Sequence, residues 1–260
     1  MRLMATESEV GVIDCNERLP WAPMSARCSS MTSICIITAR GGSKRIPRKN
    51  IKDFCGKPII AYSIEAALTS GVFDTVIVST DDDEIAEVSR RHGAEVPFMR
   101  SEATSNDYAT TADVLCEVLD EYQKRGVSFD SICCLYPTAP FVRASELRKA
   151  ASMLDDRVSS VIPVTSFDFP PLRGFKIDKD GSVEYAFPEY AQARSQDLPE
   201  MVHDCGRFYF ANTEAFRRSG SFITERVRAL RIPSKFVQDI DTPEDWEIAE
   251  RKYQSMIQED

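Results

Sequence analysis

The stretch Arg40-Gly-Gly-Ser-Lys44-Arg-Ile-Pro-Arg-Lys49-Asn50 gathers groups that grip anions. Gly41 and Gly42 let backbone N–H groups approach an anion closely, Ser43 adds a hydroxyl, and Arg40 and Lys44 add charge. Arg45, Arg48, Lys49 and Lys52 continue the series, with no acidic residue among them. Such a loop suits a triphosphate. It is not a P-loop, because G-x-x-x-x-G-K-[ST] is absent, nor a dinucleotide fingerprint, because G-x-G-x-x-G is absent. The plain alternative is a solvated basic loop.

A second group lies near the other end of the chain. Asp239 and Asp241 stand two apart in V-Q-D-I-D-T, so on an extended segment both carboxylates face one way and Ile240 the other. Two carboxylates on one face suit Mg²⁺, which takes a few protein oxygens and completes its shell with water and phosphate. The alternative is that Asp241 is an acidic N-cap for a helix starting near Pro243. The same residues also resemble the nucleophile motif of haloacid-dehalogenase-type phosphatases, but there the motif opens a catalytic domain and here it is expected to close one. No Ser-His-Asp or Cys-His set is apparent. The cysteines carry no C-x-x-C pair, and only His92 and His203 could assist them, so zinc is not expected. Cys35, Cys133 and Cys134 fall in apolar runs and read as small buried residues of a reducing, cytoplasmic protein.

The elements that must position these groups alternate. A buried strand over 34–39 feeds the basic loop, and after Pro58 the spacing of Ile59, Ile60, Ile64, Ala67 and Leu68 predicts a helix ending at Gly71. Strand 74–80, helix 83–92, a short strand near 95–98, helix 110–124, strand 131–136 and helix 144–154 follow. This alternation predicts a parallel sheet covered on both faces. The pattern changes over 159–216, read as an insertion that forms a small lobe or an interface, and a strand over 230–233 and a helix after Pro243 close the chain.

At 260 residues, 43% hydrophobic and 28% charged, the chain can build one sizeable core. Its net charge of −9 argues against nucleic acid as a partner. No apolar run is long enough to span a membrane. Residues 1–30 lack periodicity and are expected to be a flexible extension, leaving 31–260 as a single domain.

The run ITARGGSKRIPRKN, with Phe54-Cys-Gly-Lys-Pro58 after it, resembles the signature A-R-x-x-S-K-x-I-x-x-K-N of the CMP-sialic acid synthetases. The similarity continues through VSTDDDEIAE, Arg100 with Asp107, Tyr136-Pro-Thr-Ala-Pro140 and Gln238-Asp-Ile-Asp241, in the family's order over 34–257. The resemblance implies a Rossmann-like, three-layer α/β nucleotidyltransferase with a parallel or mixed sheet and a small dimerisation lobe. It implies transfer of CMP from CTP to a nine-carbon 2-keto sugar acid with release of pyrophosphate. Arg40, Gly42, Ser43, Lys44 and Asn50 match positions that hold CTP. Arg100, Ala109 and Thr111 match positions around the cytosine, and Asp239 and Asp241 match the Mg²⁺ ligands. Arg40, Lys44 and Asp241 are the implied catalytic set. Arg173 and Arg194 match cations that approach the sugar carboxylate, partly from the neighbouring subunit of a homodimer. Tyr209 and Phe222 match sugar contacts, though each is also an ordinary core aromatic, and His203 reads equally as a contact or a structural residue.

Sialic acid synthetases have glutamine at the position of Tyr136 and an Asn-Gly pair at Cys205-Gly206. The form here is more similar to pseudaminic acid cytidylyltransferases, which implies pseudaminic acid as the sugar and Tyr136 as a selector. The alternatives are a CMP-N-acetylneuraminate or CMP-legionaminate synthetase, and a catalytically inactive nucleotide-binding regulator.

Overall fold

A computed structural model describes residues 31–259 of the chain; the extension expected over 1–30 lies outside the described residues. The first half alternates: β1 (Ser33–Thr38), the small hairpin β2 (Asp53–Phe54) and β3 (Lys57–Pro58), α1 (Ile59–Ser70), β4 (Thr75–Ser79), α2 (Asp83–Arg91), α3 (Glu102–Ser105), α4 (Thr111–Lys124), β5 (Ser131–Leu135) and α5 (Ala144–Ala151). Then come β6 (Ser160–Ser166), β7 (Phe175–Ile177), β8 (Val183–Tyr185), β9 (Val202–Asp204), β10 (Phe208–Asn212), α6 (Thr213–Ser219), β11 (Val227–Arg231) and α7 (Pro243–Glu259). Gly71 ends α1 in the left-handed region at φ 66°, which favours glycine.

The main sheet runs in the order β11-β6-β10-β5-β1-β4, with β9 pairing the far part of β6. β1 is parallel to β4 and β5, as the alternation predicts, but β10 lies antiparallel between β5 and β6. The sheet is therefore mixed. The strand expected near 95–98 reduces to a single bridge from Glu95 to Ile77.

The strands β1, β4 and β5 are buried on both faces, so they read as continuous apolar runs, whereas β11 is half-buried or exposed throughout. Cys35, Ile37, Val78, Cys133 and Leu135 pack with Ile60 and Ile64 of α1, Ile85 of α2 and Leu147 of α5. Ile34, Ile36, Ile77, Ile132 and Cys134 pack on the other face with Leu115, Val118 and Leu119 of α4 and Phe216 of α6. These are the three layers.

A third cluster joins Ile46, Phe54, Ile59, Tyr62, Phe141, Ile240, Trp246 and Ala249. Phe54 meets Tyr62 and Trp246 edge-on, with ring centroids 5.6 and 5.5 Å apart. This cluster ties the basic loop, through Ile46, to the segment before α7, through Ile240. Each such buried side chain contributes on the order of 1.5–3 kcal/mol, so the two chemically interesting segments are fastened to one another from beneath.

The stretch expected to be an insertion, 159–216, divides. β6 and β10 lie inside the sheet, with Val161 and Phe208 wholly buried. The part between them carries the hairpin β7–β8, whose register pairs Phe175 with Tyr185 and Ile177 with Val183. Phe169, Phe175, Ile177 and Val183 there are exposed.

Candidate active site

The basic loop leaves the carboxyl end of β1, where α/β sheets hold their ligands. Its shape is fixed from inside and from the neighbouring strand. Asn50, buried, donates from Nδ2 to the carbonyl of Arg40 at 2.9 Å, and Gly41 N donates to Asp81 Oδ1 at 3.0 Å. Asn50, expected at the nucleotide, thus braces the loop. A Cβ on Gly41 would stand 2.6 Å from Asp82 Oδ2, whereas one on Gly42 would meet open space. Arg48 adopts φ 54° and grips Asp82 with both terminal nitrogens. That pair, aided by the N–H groups of Ile85 and Glu84, holds the Asp82 carboxyl down at about 2.

Each loop cation has a partner. Arg40 and Lys44 share Asp107, at 3.0 and 2.6 Å. Arg45 and Lys49 share Asp241, at 2.7 and 3.3 Å. Lys52 lies over the Trp246 ring, 4.3 Å from its centroid. The charge run that looks unrelieved in sequence is met in space by carboxylates from distant segments.

Ile240 is 1% exposed, and Asp239 and Asp241 both line the cavity on its other side, as the spacing predicts. Asp241 is not the helix cap. Thr242 Oγ1 accepts from Asp245 N at 3.2 Å, while Asp245 Oδ2 accepts from Thr242 N and Oγ1 at 2.8 and 2.7 Å. This reciprocal cap leaves the Asp241 side chain to Arg45 and Lys49. The cavity, of about 230 Å³, is also lined by Lys49, Tyr136, Thr138, Phe141, Gly206, Arg207 and Gln238. Among the described residues no group of three or more His, Cys, Asp or Glu could hold a metal. Two aspartates fit Mg²⁺ nonetheless, since that ion binds through one or two carboxylates beside substrate phosphates.

Tyr136 is also a wall of an aromatic hollow of about 300 Å³, with Thr111, Asp204, Tyr209 and Phe222. Tyr136 meets Tyr209 edge-on at 5.7 Å, and Tyr209 stacks on Phe222 at 5.3 Å. Tyr209 Oη donates to Asp204 Oδ2 at 2.7 Å. Burial pushes the Tyr136 and Tyr209 phenols above their ordinary values, so both stay protonated at neutral pH. A polar cleft of about 710 Å³ shares Gly206, Gln238 and Asp239 with the first cavity and adds His203, Cys205 and Lys252.

The base-reading candidates are less gathered. Arg100 is folded back onto the end of β4, with Nε donating to Ser79 Oγ at 3.2 Å and Nη2 to the Ser79 carbonyl. Ala109 N donates to Asn106 Oδ1 at 3.0 Å, just before the capping box that starts α4. Arg173 and Arg194 lie on the exposed excursion, with Arg173 Nη1 3.5 Å from Ser195 Oγ, and line none of these three hollows.

Lys49, Thr138, Asp204 and Gln238 also line these hollows, and the sequence assigns none of them a site role. Lys49 had a signal in the basic run itself; Asp204 had none, because its place depends on β9 pairing with β6. Another hollow of about 400 Å³, lined by Ser131, Ser159 and Asn212, sits by the amino ends of β5 and β6.

The cytidylyltransferase family matches residues 34–257. The pseudaminic acid cytidylyltransferase of Campylobacter jejuni is 41% identical over 225 residues, covering 86% of this chain and 97% of that protein. The CMP-N,N'-diacetyllegionaminic acid synthase of Legionella pneumophila is 34% identical over 228 residues, 85% of this chain and 96% of that one. Among solved structures, a CMP:2-keto-3-deoxy-manno-octonic acid synthetase complexed with CTP has a TM-score of 0.63 at 20% identity, covering 88% of this chain and 99% of that one. That last likeness concerns the fold.

Proposed function

Because the chain belongs to the cytidylyltransferase family, we propose that it transfers CMP from CTP to the anomeric hydroxyl of pseudaminic acid, releasing pyrophosphate. The observation that carries this reading is the cavity in which Asp239, Asp241 and Lys49 meet Tyr136, with the basic loop on one side and the aromatic hollow on the other. The choice of sugar rests on the 41% identity to the Campylobacter enzyme, against 34% to the legionaminic acid synthase.

In this reading Arg40, Lys44 and the Gly42-Ser43 turn hold the triphosphate, and Arg100, Ala109 and Thr111 meet the cytosine. Tyr136, Tyr209 and Phe222 wall the sugar. Its hydroxyl attacks the α-phosphorus, one P–O bond forms, the bond to pyrophosphate breaks and the hydroxyl proton leaves to solvent, without a covalent enzyme intermediate. The chain's part is positioning and charge neutralisation. Asp239 and Asp241 would hold Mg²⁺, which would supply neutralisation of phosphate charge and polarisation of the α-phosphate.

The protein is expected to be a cytoplasmic homodimer. The β7–β8 hairpin puts Phe175, Ile177, Val183 and Tyr185 on one face and the Lys176–Glu184 pair on the other, and an exposed apolar face of that kind suits a second copy of the chain. Arg173 and Arg194, which line no hollow of their own subunit described above, then serve the partner's sugar site. No described helix is long and apolar enough to cross a membrane.

Pyrophosphate release with CTP and a panel of nine-carbon sugar acids tests the reading. Turnover is expected with pseudaminic acid, is abolished by EDTA and returns with Mg²⁺. Tyr136→Gln should narrow the margin over N-acetylneuraminic acid, because an amide restores partners for sugar hydroxyls whose absence can cost several powers of ten. A wild-type preference for another acid would refute the sugar; CTP binding without turnover on any acid would make the protein a regulator.

A further inference from the structure

The two cations assigned to the triphosphate are already paired by one side chain. Asp107 Oδ1 accepts from Arg40 Nη1 at 3.0 Å, and its Oδ2 accepts from Lys44 Nζ at 2.6 Å. A carboxylate therefore occupies the place where phosphate oxygens would sit. It is presented by its own turn. Asn106 Oδ1 accepts from Tyr108 N and Ala109 N at 2.9 and 3.0 Å, and Asn106 Nδ2 donates to Ala103 O at 2.8 Å. Lys44, and then Arg40, hold the Asp107 carboxyl below its ordinary range, so it is charged at neutral pH.

Asp82, the partner of Arg48, is built differently. Asp82 is half-buried, bonds Arg48 through both oxygens and caps α2, so releasing it would open a helix end. The Asp107 side chain is 54% exposed and caps neither α3 nor α4. It is free to leave.

We propose that Asp107 is an internal counter-ion of the phosphate loop, which every anionic ligand must displace from Arg40 and Lys44 and which lowers the affinity of short anions and of a whole nucleoside triphosphate alike. The proposal rests on the reading of this loop as the triphosphate site. An anion held only by Arg40 and Lys44 exchanges one exposed ion pair for another and gains little. It also competes with a carboxylate tethered at high effective concentration. A nucleoside triphosphate keeps further contacts, at the base and beside Asp239 and Asp241, so it retains useful affinity after the same displacement while an anion without them does not. Asp107 also sits two residues before Ala109, so its release occurs in the segment assigned to the cytosine.

Calorimetric titration with tripolyphosphate, which has no base, and with CTP separates these contributions in wild-type, Asp107→Asn and Asp107→Ala proteins. Both variants should bind tripolyphosphate about 3- to 10-fold more tightly. CTP affinity should rise by a similar factor, so the CTP-to-tripolyphosphate preference stays the same; a gain confined to one ligand would overturn a displacement common to both. Unchanged or weaker tripolyphosphate binding in both variants, with the wild-type Tm, overturns the counter-ion role while leaving the phosphate loop intact. Wild-type protein that binds neither ligand would overturn the loop's assignment, and the counter-ion role with it.

Discussion

At the scale of single residues, two adjacent glycines do different work. The missing side chain at Gly41 makes room for Asp82, whose carboxylate is fixed by Arg48 and by the start of α2. Gly41→Ala should therefore displace a held group and lower the Tm, with CTP affinity falling alongside. Gly42 faces open space, so Gly42→Ala should leave the Tm within about a degree and act, if at all, on nucleotide binding. Thermal melts and CTP titration of the two variants check this; equal losses of stability would show that Asp82 is not the obstacle. Sequence gives both residues the same reason, close approach to an anion. Only the position of Asp82 separates them.

At the scale of elements, the entry to α2 couples charge to stability. Arg48 holds the Asp82 carboxyl at about 2, below its ordinary value of 3.8. A depressed carboxyl stabilises the fold above its unfolded value, and the contribution is lost as pH falls from about 4 towards 2. Asp82→Asn keeps a good capping oxygen but removes the charge. Its Tm deficit relative to wild type should be largest near neutral pH and should close over that acid window. A deficit independent of pH would mean that the Arg48 pair contributes nothing. The entry to α7 shows how an element decides a residue's role. The reciprocal cap of Thr242 with Asp245 relieves Asp241 of the capping duty that its place before Pro243 suggests.

At the scale of the whole molecule, the excursion between β6 and β10 is where assembly and activity should meet. Ile177 is 73% exposed and Val183 61%, on one face of their hairpin. Ile177→Lys should shift the sedimenting mass from dimer to monomer at micromolar concentration with the Tm of the main sheet preserved. If Arg173 and Arg194 complete the partner's site, kcat/KM should fall with dissociation and recover as protein concentration rises. A variant that stays dimeric, or a fully active monomer, would contradict this.

The sequence by itself determined the layered α/β fold, because strands buried on both faces must be continuously apolar and their covering helices must show a 3.6-residue stripe. It also determined that Asp239 and Asp241 face the same way, since alternation along an extended segment is a local property. What only the tertiary structure decided is everything that depends on distant segments meeting. β10 runs antiparallel between β5 and β6, which no local pattern specifies. The unrelieved positive charge between Arg40 and Lys52 is matched by Asp82, Asp107 and Asp241, brought there by β4, by the loop before α4 and by the segment before α7. Coulombic pairing depends on separation in space, not along the chain, so a charge count over thirteen consecutive positions could show a cationic loop but not the carboxylates that answer it.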